Sequence, residues 1–431
     1  MTGISKLSSR LLLAIILISL FSSCSSNVKP EKVIKEKPYK YASMKDGILH
    51  LDLKEASKHS GDIKLSQICD SIIYIPLETN KNCLLGGVLK LIIDNNDMFI
   101  GYSWGLYHFD INGKFINQLG RKGRGPGEYV CTDFCVNKKD DIVYAKANYR
   151  DCLYKFSYEG KFLDSKLKIT DSADNLVYNE DNKSIMSGMT YELQTSKNAK
   201  AAYDIFKERN LNGEIIKIVK SKYYPNEFGV QSRSYSLCLG GNKHYMYRDN
   251  FRFNEMSCDT LFEYSNKQIL PKLILNNAEY KPKFTYDLFK ILWDNLVKSN
   301  GKEHIKMSHT DRNVPFNVVR GESDRYIFIS YFEKFIYDKK VKELLCLESA
   351  TGKINRKLIN DFDGIYDFWP KKIVNNKYLY SYISAVDFLE KYNDVKDNVN
   401  CDTVYKKRLK QIADEITEES NPILMLARLK K

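Results

Sequence analysis

Short apolar runs of four to eight residues recur along the chain, each bounded by Asn, Asp, Gly or Lys. Ser71–Leu77 (SIIYIPL), Leu89–Ile93, Asp97–Tyr102, Leu106–Asp110, Asp141–Ala145 and Tyr326–Tyr331 are examples. Runs of this length, rich in β-branched and aromatic residues and set between turn formers, predict short strands.

One unit returns: an aromatic or apolar residue, a polar turn tending to Gly-Lys, then two apolar residues. Its copies are Phe109–Ile116 (FDINGKFI), Phe156–Leu163 (FSYEGKFL), Arg209–Ile216 (RNLNGEII), Glu263–Leu270 (EYSNKQIL) and Leu347–Ile354 (LESATGKI). Each predicts a hairpin whose turn residue takes a positive φ, which Gly and Asn accept at low cost. Gly113 to Gly160 spans 47 residues, and Gly160 to Gly213 and Gly213 to Asn266 span 53 each. The longer step to Gly352 contains Leu288, Phe289, Leu292 and Leu296 at helical spacing, stopped at Gly301, which predicts an inserted helix at about residues 285–300.

A period of roughly 40 to 55 residues with about four strands in each predicts a β-propeller. A four-stranded sheet cannot bury both faces alone, and stacking around an axis buries them against neighbours. Adding Trp369–Tyr382 gives six blades, and Ser71–Leu77 is placed to close the ring against the last one. Five or seven blades, a solenoid or a pair of β-sandwiches are the alternatives. The expected fold is therefore all-β: a six-bladed propeller of four-stranded antiparallel blades over residues 46–400. A C-terminal helical tail over 401–431 follows, in which Ile412 and Ile416 share a face that Met425, Leu426 and Leu429 extend.

The N-terminus reads differently. Lys6 and Arg10 precede the apolar run Leu11–Phe21, then Ser22, Ser23 and Cys24. A basic start, a short apolar core and small residues at the cut make a secretory signal over 1–23. This run of eleven residues, interrupted only by Ser19, is shorter than the roughly 20 that a helix needs to span a bilayer. Leu20–Cys24 resembles the bacterial lipobox, with Phe21 where Leu is usual, and marks Cys24 as the lipid-attachment residue. Residues 24–45 are polar, charged and broken by Pro30 and Pro38, the composition of a flexible tether.

Composition adds 30 Tyr and 21 Phe, which suit half-buried sheet surfaces. The net charge of +13 is interspersed with acids rather than gathered into an arm, so nucleic acid is not an expected partner. Ten cysteines include no Cys-x-x-Cys, and most sit in apolar runs, where free thiols act as small hydrophobes. His304 and His309 alone lie close together, without the cysteines a zinc site needs. Gly101–Gly105 (GYSWG) lacks the strand–serine–helix setting of a hydrolase elbow and predicts a turn between strands. His108 and His244 read as structural. No catalytic, metal or cofactor residue is assigned.

Gly120-Arg-Lys-Gly-Arg-Gly-Pro-Gly-Glu-Tyr129 follows the first hairpin. It resembles the glycine segment of NHL-like six-bladed propellers. Together with Tyr74-Ile-Pro-Leu-Glu-Thr79 and Leu84-Leu-Gly-Gly-Val88, it resembles a group of Bacteroidetes six-bladed propeller lipoproteins, over about residues 62 to 390. That group is largely without assigned function, so the resemblance implies fold and envelope location rather than chemistry. The segment lacks the Gly-Lys-Ser/Thr ending of a phosphate loop. Arg121, Lys122, Arg124 and Tyr129 are expected on a propeller face as a candidate binding patch.

The expected role is an envelope lipoprotein, on the periplasmic side of the outer membrane, acting as a binding or scaffold module for a protein or glycan. The alternative is a hydrolase or lyase working on a sugar or peptide at the central channel, with or without a calcium ion there.

Overall fold

The apolar runs pair into antiparallel sheets because each is bounded by residues that accept a reversal of the chain. The computed structural model describes residues 39–103, 105–147, 152–169, 173–194, 204–220, 236–241, 243–254, 259–276, 318–330, 333–347, 357–397 and 403–431. Cys24, the leader, most of the tether, the inserted helix at 285–300 and the Gly352 turn lie outside these residues.

The described chain begins with a hairpin of β1 (Ala42–Lys45) and β2 (Ile48–Asp52). Two short helices, Leu53–Ser57 and Leu65–Ile68, lead to β3 (Cys69–Pro76). The first blade is β4 (Lys90–Asp94), β5 (Asp97–Tyr102), β6 (Gly105–Asp110) and β7 (Phe115–Gln118). The second is β8 (Cys131–Asn137), β9 (Ile142–Ala147), β10 (Cys152–Ser157) and β11 (Phe162–Lys168). The third is β12 (Ala173–Asn179), β13 (Ser184–Gln194), β14 (Asp204–Asn210) and β15 (Ile215–Lys220), with β16 (Ser236–Gly241) on the far half of β13. The fourth is β17 (Lys243–Tyr247), β18 (Asn250–Asn254), β19 (Thr260–Ser265) and β20 (Gln268–Asn276), which β2 extends in parallel. The fifth is β21 (Val318–Glu322), β22 (Tyr326–Ser330), β23 (Lys334–Asp338) and β24 (Glu343–Cys346). The sixth combines β25 (Lys372–Val374) and β26 (Tyr378–Ile383) with β27 (Ile423–Leu429), and β3 is its outermost strand.

The core is divided among the blade interfaces. Successive side chains of a strand point to opposite faces, so neighbours along one strand enter different clusters. In β5, Met98 and Ile100 pack toward blade six while Phe99 packs toward blade two. In β27, Ile423, Met425, Ala427 and Leu429 face blade five, and Leu424 and Leu426 face blade one. Blades buried on both faces explain why the strands read as nearly continuous apolar runs. The fold is a six-bladed β-propeller with few helices.

Several boundaries depart from expectation. The tail is helix only over Thr403–Glu415, and Met425, Leu426 and Leu429 belong to the strand β27. A strand buried on both faces carries no period that separates it from a buried helix. The last residues assigned to the tether form β1, which pairs with β2 at the rim of blade four. The outer hairpin of blade five turns at Asp338–Glu343, and the unit expected over 347–354 lies past Leu347 outside the described residues. Cys69, Cys83, Cys131, Cys135, Cys152 and Cys346 are free thiols, all buried except the half-buried Cys152.

Candidate functional site: the central channel

The first strands of all six blades, β4, β8, β12, β17, β21 and β25, line one cavity of about 340 Å³ along the propeller axis. Its position follows from the fold: the sheets stack through their faces and leave the edges of their first strands around the centre. Gly321 in β21 lets blade six approach, since a Cβ there would stand 3.0 Å from the Ile373 side chain.

At the end where the first strands begin, Lys90 opens β4 and Lys372 opens β25. Lys90 Nζ donates to Asp133 Oδ1 at 2.6 Å and to the Leu176 carbonyl at 2.8 Å. Asp133 Oδ2 accepts from Leu176 N at 2.6 Å, and Oδ1 also accepts from Phe134 N at 2.8 Å. One carboxylate thus ties blades one, two and three together. His244, from β17, lies over Gly188, where a Cβ would stand 2.6 Å from its Nδ1. Its Nε2 is bonded to the Asn175 carbonyl, and burial pushes its pKa down to about 4, so the ring is neutral at pH 7. Lys372 has neither hydrogen bond nor ion pair among the described residues. Its side chain is exposed to the channel, and the surrounding wall, with Lys90 and Lys138 adding repulsion, pushes its pKa down to about 8.

At the opposite end the cations are paired. Lys138 Nζ donates to the Ile93 carbonyl at 2.8 Å and to Asn375 Oδ1 at 3.3 Å, with Asp94 at 3.9 Å. Lys339 Nζ donates to Glu322 Oε1 at 2.5 Å and to the Ser323 carbonyl at 2.7 Å, and sits 4.6 Å from the Tyr247 ring centre. Arg248 pairs with Asp324 at 2.7 Å. Desolvation holds the pKa values of Lys138 and Lys339 below the usual lysine value despite these partners.

The arrangement suits holding a ligand better than proton transfer. Asp133 is committed to three donors, and His244 Nε2 is engaged with the Asn175 carbonyl. Among the described residues no three His, Cys, Asp or Glu side chains are placed to hold a metal ion.

The residues expected to form a surface patch separate. Gly120–Glu128 folds around the Glu128 carboxylate, which accepts from Arg121 Nε at 2.8 Å, Gly125 N at 2.9 Å and Arg124 N at 3.1 Å. These donors hold the Glu128 pKa below its usual value. Arg121, Lys122 and Arg124 are exposed, but Tyr129 is buried between blades one and two, where it stacks on Phe156 and donates to the Leu119 carbonyl at 2.9 Å. The loop turns Tyr129 inward because the interface needs an aromatic there. His108 is likewise interior, with Nε2 2.6 Å from Asp97 and its ring stacked on Phe99. Ser103 sits in the turn between β5 and β6. The channel residues were missed because no linear motif links Lys90, Asp133, His244 and Lys372; the sole trace is a lysine heading an apolar run.

One solved structure supports the architecture, and two further ones align more loosely. The chain is similar to a protein of Bacteroides fragilis described as exported, at 19% identity and a TM-score of 0.61, over 86% of this chain and 98% of that one. A DUF4221 member from Bacteroides vulgatus aligns at 12% identity and a TM-score of 0.35, over 66% and 78% of the two chains. U3-55K aligns at 7% and 0.41, over 82% and 98%. No curated protein matches the sequence. Residues 49–428 match the family described as a domain of unknown function, DUF4934, and the chain belongs to that family.

Proposed function

We propose that the protein is an exported envelope lipoprotein whose propeller is a binding module, capturing a small solute, a glycan fragment foremost, in its central channel. Export is supported by the leader over 1–23 and by the description of the Bacteroides fragilis protein. Lipid attachment at Cys24 is supported by the lipobox-like Leu20–Cys24. An outer-membrane anchor facing the periplasm accords with the absence of an acidic run after Cys24. The Gly120–Glu128 loop supports kinship with NHL-like propellers. Among the described residues no helix is long and apolar enough to cross a membrane.

The observation that carries the binding reading is the cavity of about 340 Å³ framed by all six first strands. Its volume falls at the small end of ligand pockets, roughly 300–1,000 Å³. Among the described lining residues, the Lys372 ammonium is accompanied by no acid–base pair. The test is calorimetric titration of the processed protein with mono- and disaccharides, neutral and charged, beside turnover assays on linked sugars and peptides. Saturable binding without turnover is expected. Product formation would establish an enzyme instead. Mass spectrometry of the processed N-terminus tests the anchor: an acylated Cys24 is expected, and an unmodified one would end that part of the reading.

A further inference from the structure

We infer that the channel holds an oxyanion, a carboxylate or sulfate carried by a small solute, between Lys372 and Lys90 where the first strands begin. This rests on the reading of the channel as the binding site and names what the site selects.

The two ends of the cavity are unequal. Where the strands end, Lys138, Lys339 and Arg248 each have carboxylate or carbonyl partners. Where they begin, Lys90 shares Asp133 with backbone donors, and Lys372 has no partner among the described residues. The charged groups acting on Lys372 are Lys90, Lys138 and Asp133. Lys138 lies with its own partners at the other end, so where the strands begin Lys90 and Lys372 face the single carboxylate of Asp133, an excess of one positive charge. His244 is neutral and adds none, and the Asp94 and Glu180 carboxylates serve Lys138 at the other end. Lys372 is open to the channel solvent, and two ammonium groups lining one cavity with a single carboxylate between them repel each other, so a bound anion relieves that repulsion and accepts from both.

The rest of the wall suits the body of such a solute. Ile92, Val177 and Met246 offer apolar surface along the channel, and Asn375 and Asn376 offer amides at its far end. A few convergent polar groups in an otherwise apolar cavity are the usual make-up of a small-molecule site.

The lowered pKa of Lys372 adds a signature. An anion beside it favours the charged amine and raises that pKa. Binding at pH 8 therefore takes up protons, and affinity declines as the pH rises through about 8.

The test uses the processed full chain and isothermal titration with glucuronate, N-acetylglucosamine 6-sulfate, glucose and N-acetylglucosamine, with acetate and inorganic sulfate as free-ion arms. The charged sugars are expected to bind at least about tenfold more tightly than their neutral parents. Lys372→Gln should abolish that preference, and Lys372→Arg should retain it. At pH 8, heats measured in buffers of different ionisation enthalpy should reveal proton uptake that Lys372→Gln removes. Free ions binding as well as the sugar acids would assign the site to the ion itself. Equal affinity for neutral and charged sugars, unchanged in Lys372→Gln, overturns the oxyanion while leaving the channel a binding site. No binding by any arm overturns both.

Discussion

Tyr264, in blade four, donates to Glu208 Oε2 of blade three at 2.7 Å. Equivalent clasps recur. Tyr158 donates to Asp94 at 2.8 Å between blades one and two, and Asn137 donates to the Tyr178 hydroxyl at 3.0 Å between blades two and three. Tyr74 donates to Asp363 at 2.9 Å beside blade six. The tyrosine-rich composition reads correctly as a sheet signal, but its physical reason is partly the hydroxyl, which reaches a buried polar group across an interface where Phe cannot. That pairing is between residues far apart in sequence, so no local pattern discloses it; Tyr129 was misplaced for the same reason. Tyr264→Phe is expected to lower stability by about 1.5–3 kcal/mol, since Glu208 is buried and loses a donor. Equilibrium unfolding in urea measures it, and an unchanged midpoint would refute the clasp. His244 makes a second residue-scale prediction. Its folded pKa of about 4 lies below the ordinary 6.5, so as pH falls the unfolded chain takes the proton first. Its contribution is present in full above about pH 6.5 and is lost as the pH falls through about 4. The stability difference between the wild type and His244→Phe should therefore slope across that window and be flat above it.

At the scale of elements, the outer hairpins were legible because their turns demand a backbone state that few residues accept. Gly113, Gly160 and Gly213 have φ of 90°, 84° and 89°, and Asn266 has 48°. The two glycines Gly113 and Gly160 differ in surroundings. A Cβ at Gly113 would stand 2.2 Å from the Pro76 carbonyl of β3, whereas at Gly160 it would meet the Asn117 side chain at 3.2 Å. A side-chain amide can swing away and a paired strand cannot. Gly113→Ala is therefore expected to cost clearly more than Gly160→Ala, with the latter near the ~1–2 kcal/mol of a left-handed residue alone. Comparing denaturation midpoints of the two variants checks the order. The outer turn of blade five escaped the repeat because it carries Lys342, at φ 59°, rather than a glycine. The helix Ala385–Val395 went unnoticed although Ser384 caps it, accepting from Asp387 N at 3.1 Å.

At the scale of the molecule, the ring is joined by β27, which pairs with β26 on one side and β3 on the other. The closing role of β3 was visible as an apolar strand preceding the first repeat. The identity of its partner was not, since Ile-Leu-Met-Leu-Ala-Arg-Leu is buried on both faces and carries no strand period. The channel was invisible for a related reason: its chemistry comes from the heads of strands in different blades. Removing Ile423–Leu429 exposes β3 and β26 and opens two interfaces at once. Such a chain is expected to lose its cooperative thermal transition, and a sharp calorimetric peak from it would contradict the closure.

The seam also has a place in time. Tyr74 pairs with Met425, so β3 waits about 350 residues for its neighbour. While the chain is being made, blades can collapse one after another, but the circle stays open until that late strand arrives. Contacts this distant in sequence form slowly. A polypeptide destined for passage through a membrane pore would be kept threadable by such a delay, its final locking postponed to the far side.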